Sequence, residues 1–173
     1  MDSKVLLRAF RPDDLDLVWA ARKRSDGPIP LRAGERERLR RRLAHSGVLH
    51  RGFLRLAIEA DGRLVGEIDA RCPPDALPPG VFELGIELYE PADRGRGYGV
   101  AAVALIVERL FSDEGAARVQ ASTPLGNVAM RRALDRTGFA FEGMLRAFMP
   151  APEGREDYAL YALTREDWER RRG

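Results

Sequence analysis

Three consecutive stretches restrict the fold more than anything else in the chain: "VFELGIELYE" (81–90), "PADRGRGYG" (91–99) and "VAAVALIVERLF" (100–111). The first alternates Phe82, Leu84, Ile86 and Leu88 against Glu83, Gly85, Glu87 and Tyr89, which predicts a strand with two different faces. The third is apolar nearly all round and predicts a buried helix. Between them stand three alternating glycines, Gly95, Gly97 and Gly99, with Arg94 and Arg96. Glycine is costly in ordered backbone, so this spacing points to a chain that must approach something closely. Strand, glycine-rich turn and helix together aim the first, unpartnered helix N–H groups at an anion, and the arginines add charged donors. Two nucleotide motifs are excluded. Val100 occupies the third glycine position of G-x-G-x-x-G counted from Gly95, and no Gly-Lys-Ser/Thr is present. The string that remains is R-x-x-G-x-G, Arg94 to Gly99.

The rest of the chain alternates helices and strands. Strands are predicted over 4–10, 52–60, 63–72, 117–123, 139–149 and 155–163; helices over 11–24, 34–45 and 126–138. "SDGPIP" (25–30) breaks the first helix, and Asp61-Gly62 joins two strands as a hairpin turn. Four prolines make 73–80 a rigid surface loop, and Thr164 with Asp167 can cap a short terminal helix. At 173 residues and 45% hydrophobic, this reads as one α/β domain over 1–173. The 29 basic and 27 acidic residues nearly balance, so charge alone does not imply nucleic acid. A single cysteine, Cys72, rules out a disulfide framework or a multi-cysteine metal site. "MDSKVLLRAF" is too weakly apolar for a signal peptide and no run is long enough to span a bilayer, so a cytoplasmic protein without membrane attachment is expected.

"DRGRGYGVAAVALIVERLF" resembles motif A of the Gcn5-related N-acetyltransferases (GNAT), whose R/Q-x-x-G-x-G/A backbone cradles the coenzyme A pyrophosphate. "NVAMRRALDRTGFAFEGMLR" resembles that family's asparagine-bearing helix and following strand, and "DYALYALTREDW" resembles the closing strand of its RimJ/RimL-type branch. The resemblance implies a mixed, mostly antiparallel sheet splayed at the acyl-CoA site and flanked by about four helices. It implies acetyl-CoA as cosubstrate, no metal, and direct attack by an acceptor amine in a ternary complex. The acceptor would be a small molecule or a protein N-terminus, and the chain a monomer or homodimer.

On that resemblance, coenzyme binding falls to Arg94, Gly95, Arg96, Gly97, Tyr98 and Gly99, to the strand at Ile86, Glu87 and Leu88, and to Asn127. Carboxylates available as the base are Glu67 and Asp69 on one strand and Glu83 and Glu87 on the next. Glu83 is the first choice because it stands eleven residues before Arg94, as the glutamate of histone-type relatives does; Glu87 is the second. The positions where relatives carry a tyrosine or serine acid hold Leu134 and Met130, so no proton donor for the thiolate can be named. Arg32, Arg36, Arg38, Arg40, Arg41 and Arg42 lie on or beside one helix; interleaved Glu35 and Glu37 favour a solvated face over RNA, the less favoured partner. Two alternatives stay open: the same fold with another donor such as an aminoacyl-tRNA, and a non-catalytic coenzyme-binding module.

Overall fold

The computed structural model describes residues 4–24 and 33–173, so the "SDGPIP" break and Arg32 lie outside the described residues. The elements are β1 (Val5–Arg8), α1 (Asp14–Arg24), α2 (Glu35–Ala44), β2 (Phe53–Ala60), β3 (Arg63–Arg71), β4 (Val81–Leu88), α3 (Tyr98–Ser112), β5 (Arg118–Pro124), α4 (Val128–Arg136), β6 (Ala140–Ala151), β7 (Gly154–Thr164) and α5 (Arg165–Arg170). The strands form one seven-stranded sheet in the order β1-β2-β3-β4-β5-β7-β6, antiparallel throughout except for β4 with β5. The mixed, mostly antiparallel sheet is therefore as expected, with five helices among the described residues against about four, the fifth being the terminal turn capped by Thr164.

Each face of the sheet carries its own core. Leu54, Leu56, Ile58, Ile68, Phe82 and Leu84 pack against Val103, Ile106, Val107 and Leu110 of α3. Across the sheet, Ala57, Leu64 and Tyr89 pack with Val18 and Ala21 of α1 and with Leu39 and Leu43 of α2. The period-2 alternation of β4 feeds both: its apolar residues face α3, while Glu83, Gly85, Glu87 and Tyr89 face α1 and α2.

Several boundaries differ from the sequence expectation for local reasons. The helix expected from 100 begins at Tyr98, because Gly97 is its left-handed cap at φ 85° and Gly99 already lies in the first turn. The helix expected from 11 begins at Asp14, whose carboxylate accepts the Arg11 N–H at 2.7 Å and closes a turn across Pro12. Asp61 and Gly62 both take positive φ, as a two-residue hairpin turn requires.

Candidate active site

β4 and β5 pair only over Val81↔Arg118, Phe82↔Val119 and Glu83↔Gln120. Beyond Glu83 the two strands part: β4 continues beside β3 to Leu88, and β5 beside β7 to Pro124. The β4 edge from Leu84 to Leu88 is thus without a strand partner on the β5 side, leaving backbone donors and acceptors facing the gap. A cleft of about 640 Å³ opens there. It is lined by Ile86, Glu87 and Leu88 from β4, by Arg94, Gly95, Gly97, Gly99 and Val100, and by Asn127, Ala129, Met130, Arg132, Ala133 and Arg136.

The glycine segment is held from both ends. A single 3₁₀ turn, Pro91–Asp93, follows β4, and Arg63 of β3 donates from Nη1 to Asp93 at 3.0 Å. That guanidinium holds the almost fully buried Asp93 carboxyl below the ordinary aspartate range. At the other end the buried Tyr98 hydroxyl donates to Asp61 at 3.0 Å. The β2–β3 hairpin therefore fixes where α3 begins. Gly95 and Gly97 take φ of 76° and 85°, and a Cβ added at either would meet nothing within 4 Å. A Cβ on Gly99 would meet only Ile86 Cδ1 at 3.9 Å. The cleft side of this segment is bare backbone, with the first N–H groups of α3 at its rim.

Of the residues expected to hold the coenzyme, Ile86, Glu87, Leu88, Arg94, Gly95, Gly97, Gly99 and Asn127 all line this one cleft. Arg96 and the Tyr98 side chain do not; the Tyr98 ring is inside the core, so only its backbone is at the helix start. Asn127 caps α4, its Oδ1 accepting the Met130 N–H at 3.1 Å. The sequence reading missed the face of α4. Ala129, Arg132, Ala133 and Arg136 follow i, i+3, i+4, i+7 spacing and so form one stripe toward the cleft. That spacing was the available signal. Arg131 is occupied elsewhere, donating to the Tyr161 hydroxyl and the Leu125 carbonyl, whereas Arg94, Arg132 and Arg136 enter no ion pair among the described residues.

Glu83 lies at the closed end of the gap, where β4 and β5 still pair, and accepts from Arg71 Nη2 at 2.9 Å; it does not line the cleft. Glu87 does. Burial, and then the negative charge of Glu67, push its carboxyl above the ordinary value, against a pull from Arg22 and Arg94. Glu67 sits directly opposite on β3, 7% exposed, accepts from the Tyr89 hydroxyl at 3.3 Å and meets Arg22 of α1 at 3.6 Å. Asp69, two residues on, is raised chiefly by burial, and its carboxylate lies over Gly85.

No tyrosine lines the cleft among the described residues. The Tyr89 phenol, buried beside Glu67 and Glu87, is pushed far up, and Tyr158 and Tyr161 pack in tilted and edge-on arrangements against Phe148 and Phe141. Leu134 is fully buried and Met130 is a cleft wall, so neither donates a proton. The α2 arginines form ion pairs: Arg38 and Arg42 with Glu35, Arg40 and Arg41 with Glu37, Arg36 with Asp16. His45 and His50 stack at 4.3 Å between ring centres; no metal-binding cluster exists among the described residues.

A mixed sheet opening at a glycine-rich helix start, with cations around the gap, is the architecture of the GNAT acetyltransferases. Residues 4–140 match the acetyltransferase (GNAT) domain family model, and the chain belongs to this family of N-acetyltransferases. Its fold is similar to that of Mycobacterium smegmatis RimJ in complex with CoA-disulfide (23% identity, TM-score 0.74, 94% of this chain and 83% of that one). It is similar too to aminoglycoside acetyltransferase AAC(6′)-Ib in complex with coenzyme A (22%, TM-score 0.74, 98% and 100%). A chimera of Vibrio cholerae spermidine N-acetyltransferase SpeG and hSSAT shares it at 15% identity (TM-score 0.79, 96% and 99%). No curated protein matches the sequence significantly. No helix among the described residues is long and apolar enough to cross a membrane.

Proposed function

We propose that this chain transfers the acetyl group of acetyl-CoA to a primary amine, on a small molecule or a protein N-terminus, with Glu87 as the base. The observation that carries the reading is the half-buried Glu87 carboxylate on the unpaired stretch of β4, in the same cleft as the bare glycine backbone. The cleft suits an elongated polyanion: helix N–H groups and Arg94 at one wall, Arg132 and Arg136 at the other, and open strand edge between them. When bound, acetyl-CoA supplies a thioester, an acyl group that an amine can accept.

The protein's part is positioning and proton transfer. The Leu84–Leu88 edge can pair with amide groups of an extended ligand arm as a further strand would. Glu87 takes the proton that an ammonium must lose before it can act as a nucleophile, and its raised proton affinity suits that exchange. No side chain is assigned as acid; water or the departing ammonium proton serves. The paired arginines of α2 give no observation favouring an RNA-borne donor.

Glu87→Gln tests the reading. It keeps shape and backbone but cannot take a proton, so turnover at neutral pH should fall about 100-fold. Coenzyme affinity, read by calorimetry, should stay within about threefold, because Gln preserves the backbone edge. Turnover retained with its acid limb intact would remove Glu87 from the base role.

A further inference from the structure

We infer that Glu67 is a positioning residue for the transfer: its buried carboxylate, fixed across the β3–β4 ladder from Glu87, sets how firmly Glu87 holds its proton. The inference rests on Glu87 being the base, but it is a statement about electrostatics that can be measured without an acceptor. Residues directly opposed on antiparallel strands have Cβ atoms about 4.5–5.5 Å apart, so the two glutamates share one face and one low-dielectric patch.

A buried carboxylate normally acquires a close cationic partner. Among the described residues Glu67 has only a loose one, Arg22 at 3.6 Å; the Tyr89 hydroxyl donates to it at 3.3 Å, and Arg22 Nε is itself buried with no hydrogen-bond partner among those residues. Its negative charge is therefore incompletely neutralised, and Glu87 is the titratable group on the adjoining strand that also reaches the cleft. The other charged groups facing this patch are Asp69 from β3, Arg94 beyond β4, Arg55 from β2 and Arg42 from α2, and Arg42 is repelled by both Arg22 and Arg55. A simple structural role for Glu67, tying β3 to α1, would be filled better by a close hydrogen-bonded pair than by a contact of this length.

The experiment is a carboxyl ¹³C NMR titration of the free protein, with Glu87 assigned from its loss in Glu87→Gln. In wild type the Glu87 midpoint should lie above the ordinary glutamate value. In Glu67→Gln the like charge is gone and Arg22 is released toward Glu87, so the midpoint should fall by about one pH unit. The acid limb of acetyl transfer should move down with it. Glu67→Asp, which keeps the charge, should leave the midpoint within about 0.3 unit of wild type, and it separates charge from any loss of folding. An unmoved Glu87 midpoint in Glu67→Gln overturns the inference. A moved midpoint with full turnover in Glu87→Gln would instead leave the coupling standing and sink the base assignment.

Discussion

Gly97 and Gly99 stand two residues apart, yet the structure assigns them opposite consequences when each becomes alanine. Gly97 is the left-handed cap of α3 at φ 85°, a conformation that costs an L-residue about 1–2 kcal/mol. For a chain of this size Gly97→Ala should lower Tm by about 2–8 °C. Gly99 lies inside the first helical turn, and its added Cβ would make ordinary contact with Ile86 Cδ1 at 3.9 Å. Removing a glycine from helix there should raise stability by about 0.5–1 kcal/mol. Tm should then rise about 1–4 °C. The same methyl projects from the wall of the cleft that a phosphate must approach, so coenzyme affinity should drop at least about tenfold. At a coenzyme concentration of 100 wild-type Kd, that loss removes about 1.3 of the 2.7 kcal/mol of ligand stabilisation. Thermal unfolding of each variant, with and without coenzyme A, reads all three quantities. A Gly99→Ala protein that is more stable and binds coenzyme A as wild type does would refute the cradle, since no phosphate could then lie against that backbone.

Arg132 and Arg136 should contribute to coenzyme affinity by about tenfold each, more strongly at low salt, when replaced by alanine. If they meet the 3′-phosphate, the double variant should bind coenzyme A and dephospho-coenzyme A alike, whereas wild type distinguishes them; calorimetry with both ligands decides it. Glu83→Gln removes the 2.9 Å contact with the half-exposed Arg71, so it should change Tm by less than about 2 °C. Its turnover should stay within about threefold of wild type, and a 100-fold loss would return the base role to Glu83.

The part of the site built from neighbours in sequence was legible without coordinates. Alternation in 81–90, closely spaced glycines and an all-apolar helix are local signals that gave strand, turn and helix, and the family resemblance joined Ile86 to Leu88 with the glycine segment as one site. Glu83 and Glu87 share a face, and the eleven-residue spacing to Arg94 favoured Glu83. What separates them is where β5 stops pairing with β4, a register set by residues more than thirty positions downstream. The opposition of Glu67 and Glu87 was hidden for a related reason: β3 and β4 are joined by the proline-rich loop 73–80, not by a tight turn that fixes register. Arg132 and Arg136 were hidden by composition. In a chain with this many arginines, two more on a helix look like solvated surface until α4 is known to face the gap.

β4 is the element on which both halves of the proposed chemistry depend, and its alternation explains how one strand could serve both. Its backbone edge is free only after Glu83, so pairing with an extended ligand would be confined to Leu84–Leu88, before the 3₁₀ turn. Over that same stretch Ile86 and Leu88 anchor the strand on the α3 core, while Glu87 and Tyr89 point to the α1–α2 side. The backbone edge and the carboxylate that the proposal assigns to ligand and to proton are thus orthogonal features of the same strand. A one-residue slip of β4 against β3 would exchange the faces, burying a carboxylate against α3 and turning isoleucine toward the acceptor side. The ladder from Gly66↔Leu88 to Arg71↔Glu83 runs without a register shift, which is what such a double duty demands of it.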